Sequence, residues 1–145
     1  TSDDIEAVNW AQAEYAARSS AVDYAKSVAA AAMFRRALAQ WWHGGFDLLL
    51  TPTLARLPFT VGSFTNDPSD PMKPSRLASE WVRFTAQFNM SGQPAISLPL
   101  GRTATGLPVG VQLVAAYGRE DVLLRVAAQL ETAAPWKSFN PTALG

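Results

Sequence analysis

The sequence lacks cysteine altogether and has a single histidine, His43, among its 145 residues. Without cysteine, the chain has no disulfide framework, no thiolate metal site and no cysteine nucleophile. One imidazole is also too few ligands for a zinc centre, which takes three or four side chains. We therefore predict that the chain holds no metal.

An excess of charge of either sign is lacking too, since twelve Lys and Arg residues balance twelve Asp and Glu residues. A protein that binds nucleic acid or an anionic membrane needs a basic surface that neutralises phosphate. The longest weakly polar stretch, residues 28–32, is far shorter than the ~20 residues of a membrane span, and no signal-peptide pattern opens the chain. We predict a soluble, cytoplasmic protein with neither nucleic acid nor membrane as a partner.

What is present is a globular composition, with 48% hydrophobic and 17% charged residues. That balance is too apolar for a disordered chain, and the length is that of one ordinary domain. We predict a single domain over residues 1–145. The five tryptophans and the helical pattern at the first residues suggest a fragment of a longer protein, and nine arginines against three lysines favour a GC-rich bacterial source.

Hydrophobic residues recur at helical spacing in four segments. Ser20 and Asp23 form a capping pattern at the start of the second segment, and Gly44 suits its end. Asp3 and Glu6 form a similar capping pattern at the start of the first segment. The predicted helices cover residues 3–17, 20–43, 75–90 and 120–134.

The third predicted helix carries an aromatic stripe. Ser75 is predicted to cap this helix, and Trp81, Phe84 and Phe88 follow at steps of three and four residues. Such a stripe usually belongs to the core. We expect Phe84 and Phe88 in the core, with Trp81 as a pocket wall beside the preceding loop.

Three short apolar segments predict β-strands over residues 46–52, 95–100 and 107–115. The first begins with the continuous run FDLLLT, which is typical of a central strand buried on both faces. The other two flank a polar loop and predict a β-hairpin. The proline-rich residues 52–74 predict a long irregular loop. Helices and strands together indicate the α/β class.

Two patterns resemble known functional motifs, and both have a structural interpretation. Gly101 and Gly106 have the spacing of a phosphate loop, but Leu107 and Pro108 stand where that loop needs Lys and then Ser or Thr. Histidine is the residue type most often used as a general base near neutral pH, yet the place of His43 at the end of a helix favours an interaction with the helix dipole.

Neither a hard-cation site nor a serine-hydrolase motif is indicated. Asp67 and Asp70 are too few carboxylates for a calcium loop, and turn chemistry explains both. No serine lies in a GxSxG elbow. From the residues alone we predict no catalytic group and no cofactor.

Four segments together resemble the C-terminal part of amidase signature family enzymes. The resemblance covers nearly the whole chain and is weakest over residues 1–20 and 56–74. It is carried by FDLLLTPT (46–53), NMSGQPAISLPLG (89–101), GLPVGVQLVA (106–115) and residues 120–136.

The resemblance implies a three-layer α/β/α fold with one mixed sheet, of which this chain forms the C-terminal part, and hydrolysis of carbon–nitrogen amide bonds. Family members use a serine nucleophile, a bridging serine in a cis peptide and a lysine, all in their N-terminal two thirds. Those segments are not in this sequence, and none of Lys26, Lys73 and Lys137 matches the catalytic position. The resemblance therefore assigns no catalytic residue here and predicts that the chain alone is inactive.

One site position does carry over from the family. Members that take glutamine have an aspartate, seven residues before the asparagine that aligns with Asn89, which holds the substrate's amino group. Val82 stands at that position here. A buried amine without a carboxylate is costly to desolvate, so an uncharged, more apolar amide is expected as substrate. Val82 and Trp81 are then expected to line the acyl or leaving-group pocket.

The same resemblance bears on partners, because strands of this segment would pair with strands of the rest of the enzyme. An unpaired sheet edge is expected to bind the N-terminal catalytic part of an amidase or a second copy of the chain. The alternative function is a non-enzymatic, amidase-like interaction module. A weaker alternative is an unrelated α/β enzyme that uses His43.

Overall fold

The structure is a computed structural model that describes residues 4–136. It confirms the α/β class, and most predicted elements lie within a few residues of the expected bounds. Within residues 4–136 no helix is long and apolar enough to cross a membrane. In chain order the elements are α1 (Ala7–Ala17), α2 (Ala21–His43), β1 (Leu48–Pro52), α3 (Lys73–Ser79), α4 (Ala86–Ser91), β2 (Ala95–Arg102), β3 (Pro108–Ala115) and α5 (Glu120–Ala133).

The strands form one sheet in the order β1-β3-β2. The predicted hairpin is confirmed, since β2 and β3 pair antiparallel with Ser97 opposite Gln112. A bulge between Leu98 and Gly101 shifts the register near the hairpin loop. The resemblance implied a mixed sheet, but every strand pair in the described part of the chain is antiparallel. A mixed sheet in a longer protein stays a prediction.

The prediction of a central, doubly buried β1 is wrong for the described chain. β1 pairs only with β3 and lies at an edge of the sheet, and Leu50 on it is 65% exposed. The central strand is β3, whose residues Leu113, Val114 and Ala115 are buried. An apolar run indicates that both faces of a strand avoid water, but it does not identify the strand's neighbours.

One face of the sheet packs against α5 and forms the core. Leu98, Leu113 and Ala115 from the strands are buried together with Leu123 from α5. Alternate residues of a strand point to opposite faces, so Gln112 and Val114 face the other side, where Gln112 bonds to the carbonyl oxygen of Phe84 in the turn before α4. Phe88 on α4 is buried, as its place in the aromatic stripe predicts.

Helix α2 begins with the predicted capping box. The backbone N–H of Asp23 donates to Ser20 Oγ at 3.1 Å, and the backbone N–H of Ser20 donates to Asp23 Oδ2 at 3.2 Å. Gly44 follows the last helical residue, also as predicted. Helix α1 begins later than expected, after Glu6, whose side chain makes no capping bond. Asp3, the other half of that predicted box, lies outside the described residues.

The helix predicted over residues 75–90 is instead two short helices, α3 and α4, joined by a turn. In a continuous helix the Trp81 carbonyl would accept the N–H of Thr85. Here it accepts the N–H of Ala55 at 3.0 Å, and the N–H of Thr85 donates to Val82. The loop before α3 thus diverts one helical hydrogen bond. The predicted Ser75 cap is also wrong, because α3 begins at Lys73.

Candidate functional site

A row of polar side chains crosses the sheet face opposite the α5 core. Thr51, Gln112 and Ser97 lie opposite one another on β1, β3 and β2. Gln112 is buried, and its Nε2 donates to Thr51 Oγ1 at 3.0 Å and to the carbonyl oxygen of Phe84 at 2.7 Å. This amide fixes the turn between α3 and α4 on the polar face of the sheet.

Next to that row, two hydroxyls meet over a glycine. Thr53, just after β1, and Ser97 on β2 have their hydroxyl oxygens 2.6 Å apart. A Cβ on Gly110 of β3 would lie 2.7 Å from Thr53 Oγ1 and 2.8 Å from Ser97 Oγ, so one or both hydroxyls would have to move. The backbone N–H of Thr53 also donates to the Gly110 carbonyl at 3.0 Å. Gly110 therefore makes the hydroxyl pair possible.

These three residues line a cavity of about 220 Å³ between the sheet and the loop that follows β1. We name it the hydroxyl-pair pocket. Its other walls are mainly apolar, apart from one cationic side chain. They consist of Leu54, Arg56, Leu57 and Pro58 from the loop, and Pro108 and Val109 from β3.

Trp81 holds the loop in place from outside the pocket. Its indole N–H donates to the carbonyl oxygen of Leu57 at 2.6 Å, and its own carbonyl accepts from Ala55. The Phe59 ring stacks on the indole with 3.7 Å between the ring centroids. These contacts explain why a proline-rich loop without regular structure forms a defined wall.

The cation at the pocket wall already has partners. Arg56 forms an ion pair with Glu80 at 3.0 Å, and its guanidinium lies 5.2 Å from the centroid of the Trp81 ring. Both contacts stabilise the positive charge, and Glu80 compensates it. The pocket is therefore close to neutral.

The two residues predicted to bind substrate do not line this pocket. Trp81 is half-buried behind the loop, and Val82 is exposed in the turn between α3 and α4. Their predicted role in a substrate pocket stays a prediction. The sequence analysis did not single out Thr53, Ser97 or Gly110. The available signal was a glycine inside an apolar strand, which often marks a close approach of other groups.

The remaining candidate residues have structural roles. Asp67 accepts hydrogen bonds from the Ser69 hydroxyl at 2.6 Å and from Lys73 Nζ at 3.3 Å, which lower its pKa below the ordinary value. Asp70 accepts two hydrogen bonds from Arg76, and these lower its pKa as well. Among residues 4–136 no three His, Cys, Asp or Glu side chains are grouped as metal ligands.

The other two motifs also fit their structural interpretations. His43 is the exposed last residue of α2, beside the C-terminal end of the helix dipole. Gly106 lies in the hairpin loop with φ of 88°, and Thr103 Oγ1 closes that loop by accepting the N–H of Leu107 at 3.0 Å. The loop is the predicted hairpin connection.

Sequence comparison relates this chain to enzymes of amide chemistry. The profile of the family described as Amidase matches residues 4–124. The chain is 40% identical over 149 aligned positions to the 6-aminohexanoate-cyclic-dimer hydrolase of Paenarthrobacter ureafaciens, covering 99% of the chain and 30% of the relative. It is 45% identical over 108 positions to the putative amidase AmiC of Mycobacterium tuberculosis strain H37Rv, covering 74% and 22%.

Solved structures agree with this relationship. The structure of 6-aminohexanoate cyclic dimer hydrolase complexed with substrate matches all of this chain and 31% of the solved chain, with a TM-score of 0.86 and 38% identity. A glutamyl-tRNA(Gln) amidotransferase chain from Thermotoga maritima matches 72% of this chain and 22% of its own, with a TM-score of 0.51 and 27% identity. The chain belongs to the amidase family. It spans less than a third of the length of these relatives.

Proposed function

We propose that this chain is the C-terminal segment of an amidase that hydrolyses a carbon–nitrogen amide bond. The two serines and the lysine that the family resemblance implies would lie on polypeptide outside the chain. The observation that carries the proposal is the alignment of 99% of the chain with less than a third of a cyclic-dimer hydrolase. In addition, no serine hydroxyl in the described residues is hydrogen-bonded to a lysine or histidine.

The proposed substrate is an uncharged amide. Val82 supplies no carboxylate for an amino group, and the charge of Arg56 is compensated by Glu80. A buried amine without a counter-ion would lose its hydration and gain no ion pair that offsets this cost. A relative is named for the cyclic dimer of 6-aminohexanoate, and such a dimer has its amino and carboxyl groups joined as amides. In the whole enzyme Val82 and Trp81 would line the acyl or leaving-group pocket for such a substrate.

The proposed partner is the N-terminal catalytic part of the enzyme. The outer edge of β1 has no strand partner within residues 4–136, and Leu50 on this strand is largely exposed. Residues 21–30, the first half of α2, are exposed as well. An apolar edge strand is a template for further pairing. A strand from the missing part would continue the sheet there.

Complementation tests this function. The purified 145-residue chain should show only background hydrolysis of aryl and aliphatic amides, and activity should appear when it is co-expressed with the N-terminal part. Leu50→Lys should weaken complementation because it places a charge beside the paired edge. Leu124→Lys on α5 is the matched control, since both leucines are 65% exposed. Amide turnover by the chain alone would reject the proposal.

The alternative, a non-enzymatic interaction module, is favoured by the same exposed edge. It predicts that the chain binds a partner or itself while the complemented assembly stays inactive. Size-exclusion chromatography with light scattering measures the association. A stable monomer that also fails to bind the N-terminal part would exclude both the module and the proposed assembly.

A further inference from the structure

We propose that the hydroxyl-pair pocket binds an uncharged carboxamide group through Thr53 and Ser97. The pair would donate a hydrogen bond to the carbonyl oxygen of the ligand and accept one from its amide N–H. The choice of an amide as ligand rests on the proposed amidase function. The geometry and the neutrality of the pocket do not depend on that function.

The first argument is a count of hydrogen-bonding groups. Each hydroxyl has one donor hydrogen and two acceptor lone pairs. The hydroxyls of Thr53 and Ser97 bond only to each other among the described side chains and backbone groups, whichever of them is the donor. One hydroxyl hydrogen and three lone pairs therefore stay available. A carboxamide, which carries an acceptor oxygen and a donor nitrogen on the same carbon, complements this set.

The second argument is the space that Gly110 leaves. Any side chain at this position would collide with both hydroxyl oxygens, because even a Cβ would come within 2.8 Å of each. The hydroxyls are accordingly held over bare backbone in the pocket wall. The two hydroxyls themselves fill the space above Gly110, and a small planar group would reach them from the cavity that they line. Glycine in a strand interior weakens the strand, so a close approach is the physical benefit that offsets this cost.

The third argument concerns charge and excludes ionised ligands. A carboxylate offers only acceptors, and it would face a hydroxyl pair that has a single free donor. An ammonium group would find no carboxylate in the pocket wall, because Glu80 is paired with Arg56 outside it. The guanidinium of Arg56 at the wall is already paired with Glu80, so neither ion finds a counter-ion that is free to bind it.

Size and lining limit the ligand further. The cavity of about 220 Å³ is smaller than the roughly 300–1,000 Å³ of drug-sized ligand sites, so it holds one amide group with a short alkyl chain. Leu54, Leu57, Pro58 and Val109 supply apolar contacts for that chain. The inferred ligand is a small aliphatic amide or one amide unit of a larger molecule.

The test is an NMR titration of the 145-residue chain with hexanamide, followed by the backbone amide signals of Thr53, Ser97 and Gly110. Hexanoate and hexylamine, which have the same number of carbon atoms as hexanamide and carry opposite charges, are the comparison ligands. We expect hexanamide to shift these signals in a saturable way and each ion to bind at least several-fold more weakly. Absence of saturable shifts with hexanamide, or equal binding of either ion, would overturn the proposal.

Variants connect the binding to the hydroxyl pair. Ser97→Ala and Thr53→Val each remove one hydroxyl at nearly constant shape, and we expect the affinity for hexanamide to fall roughly three- to tenfold. Thr105→Val is the matched control, since Thr105 forms a similar hydroxyl pair with Thr103 in the hairpin loop at 2.9 Å. Unchanged affinity in both pocket variants would contradict the proposal. Because the titration needs no catalysis, its result is independent of the complementation assay.

Discussion

The indole N–H of Trp81 donates to the carbonyl oxygen of Leu57 at 2.6 Å and joins the turn after α3 to the loop after β1. Leu57 lines the hydroxyl-pair pocket, whereas Trp81 lies behind it. The Trp81 carbonyl, bonded to Ala55, reinforces the same junction. Trp81 thus acts on the pocket by positioning its wall.

The first prediction concerns this hydrogen bond. Trp81→Phe keeps an aromatic ring beside Phe59 but removes the indole donor, so the free energy of unfolding should fall by about 1 kcal/mol. The Ala55 amide should exchange its hydrogen faster, because the wall it belongs to loosens. Urea unfolding and hydrogen exchange measure the two effects.

Trp10→Phe is the control for Trp81→Phe. Trp10 also donates its indole N–H, at 3.0 Å to Glu14, but this bond lies within the single helix α1. We expect it to contribute only a few tenths of a kcal/mol. Equal losses in the two variants would mean that Trp81 has no special role in positioning the loop.

The elements of this fold were largely predictable from local patterns. The Ser20–Asp23 capping box and the polar loop of the hairpin involve residues a few positions apart, so the sequence contains their whole cause. The break between α3 and α4 was not predictable, because it depends on a hydrogen bond between Trp81 and Ala55, which are far apart in the chain.

A second prediction tests the core between the sheet and α5. Leu123 is 3% exposed and packs with Leu98, Leu113 and Ala115, so Leu123→Ala should lower the free energy of unfolding by about 2–5 kcal/mol. The neighbouring Leu124 is 65% exposed, and Leu124→Ala should change it by less than about 0.5 kcal/mol. Urea unfolding of the two variants measures these changes. Similar decreases in the free energy of unfolding would contradict the packing of Leu123 in this core.

A third prediction separates backbone strain from contact at Gly92. This residue ends α4 with φ of 80°, and a Cβ on it would lie 3.3 Å from the Tyr117 ring. Gly92→Ala should therefore lower the free energy of unfolding by about 1–2 kcal/mol through backbone strain. The contact with the Tyr117 ring should lower it further. Gly45→Ala has similar strain at φ of 91° but nothing within 4 Å of the new Cβ.

Chemical denaturation of both glycine variants measures the difference. A larger loss for Gly92→Ala than for Gly45→Ala is expected, since only the first displaces an aromatic ring. Replacing Tyr117 by Ala in the Gly92→Ala background should reduce the excess. If Gly92→Ala and Gly45→Ala lower the free energy of unfolding equally, with or without Tyr117, the whole effect comes from backbone strain.

The candidate site was harder to predict than the fold. Thr53 and Ser97 are 44 positions apart and meet only because β1 and β2 both pair with β3 in a particular register. Gly110 was visible in the sequence as an interruption of an apolar strand, but the two groups that occupy its space were not. Strand register is a long-range property, so a site built across three strands has no local signature.

The fourth prediction concerns pH. The hydroxyl of Ser69, and secondarily Lys73, hold the pKa of Asp67 below the ordinary 3.8. A group with a lowered pKa in the folded state stabilises the fold above its unfolded pKa, and this contribution is lost as the pH falls through the folded pKa. An NMR titration of the Asp67 carboxyl carbon should therefore have its midpoint below 3.8.

Ser69→Ala should raise that midpoint towards 3.8, because it removes the hydrogen bond that lowers the pKa most. Ser63→Ala is the control, since the Ser63 hydroxyl lies in the same loop but bonds to Thr60. In Ser63→Ala the titration midpoint of Asp67 should match that of the unmodified chain. In Asp67→Asn, the part of the acid-induced loss of stability that comes from this carboxylate should disappear. A midpoint at or above 3.8 in the unmodified chain would show that the Ser69 hydroxyl does not stabilise the carboxylate in solution.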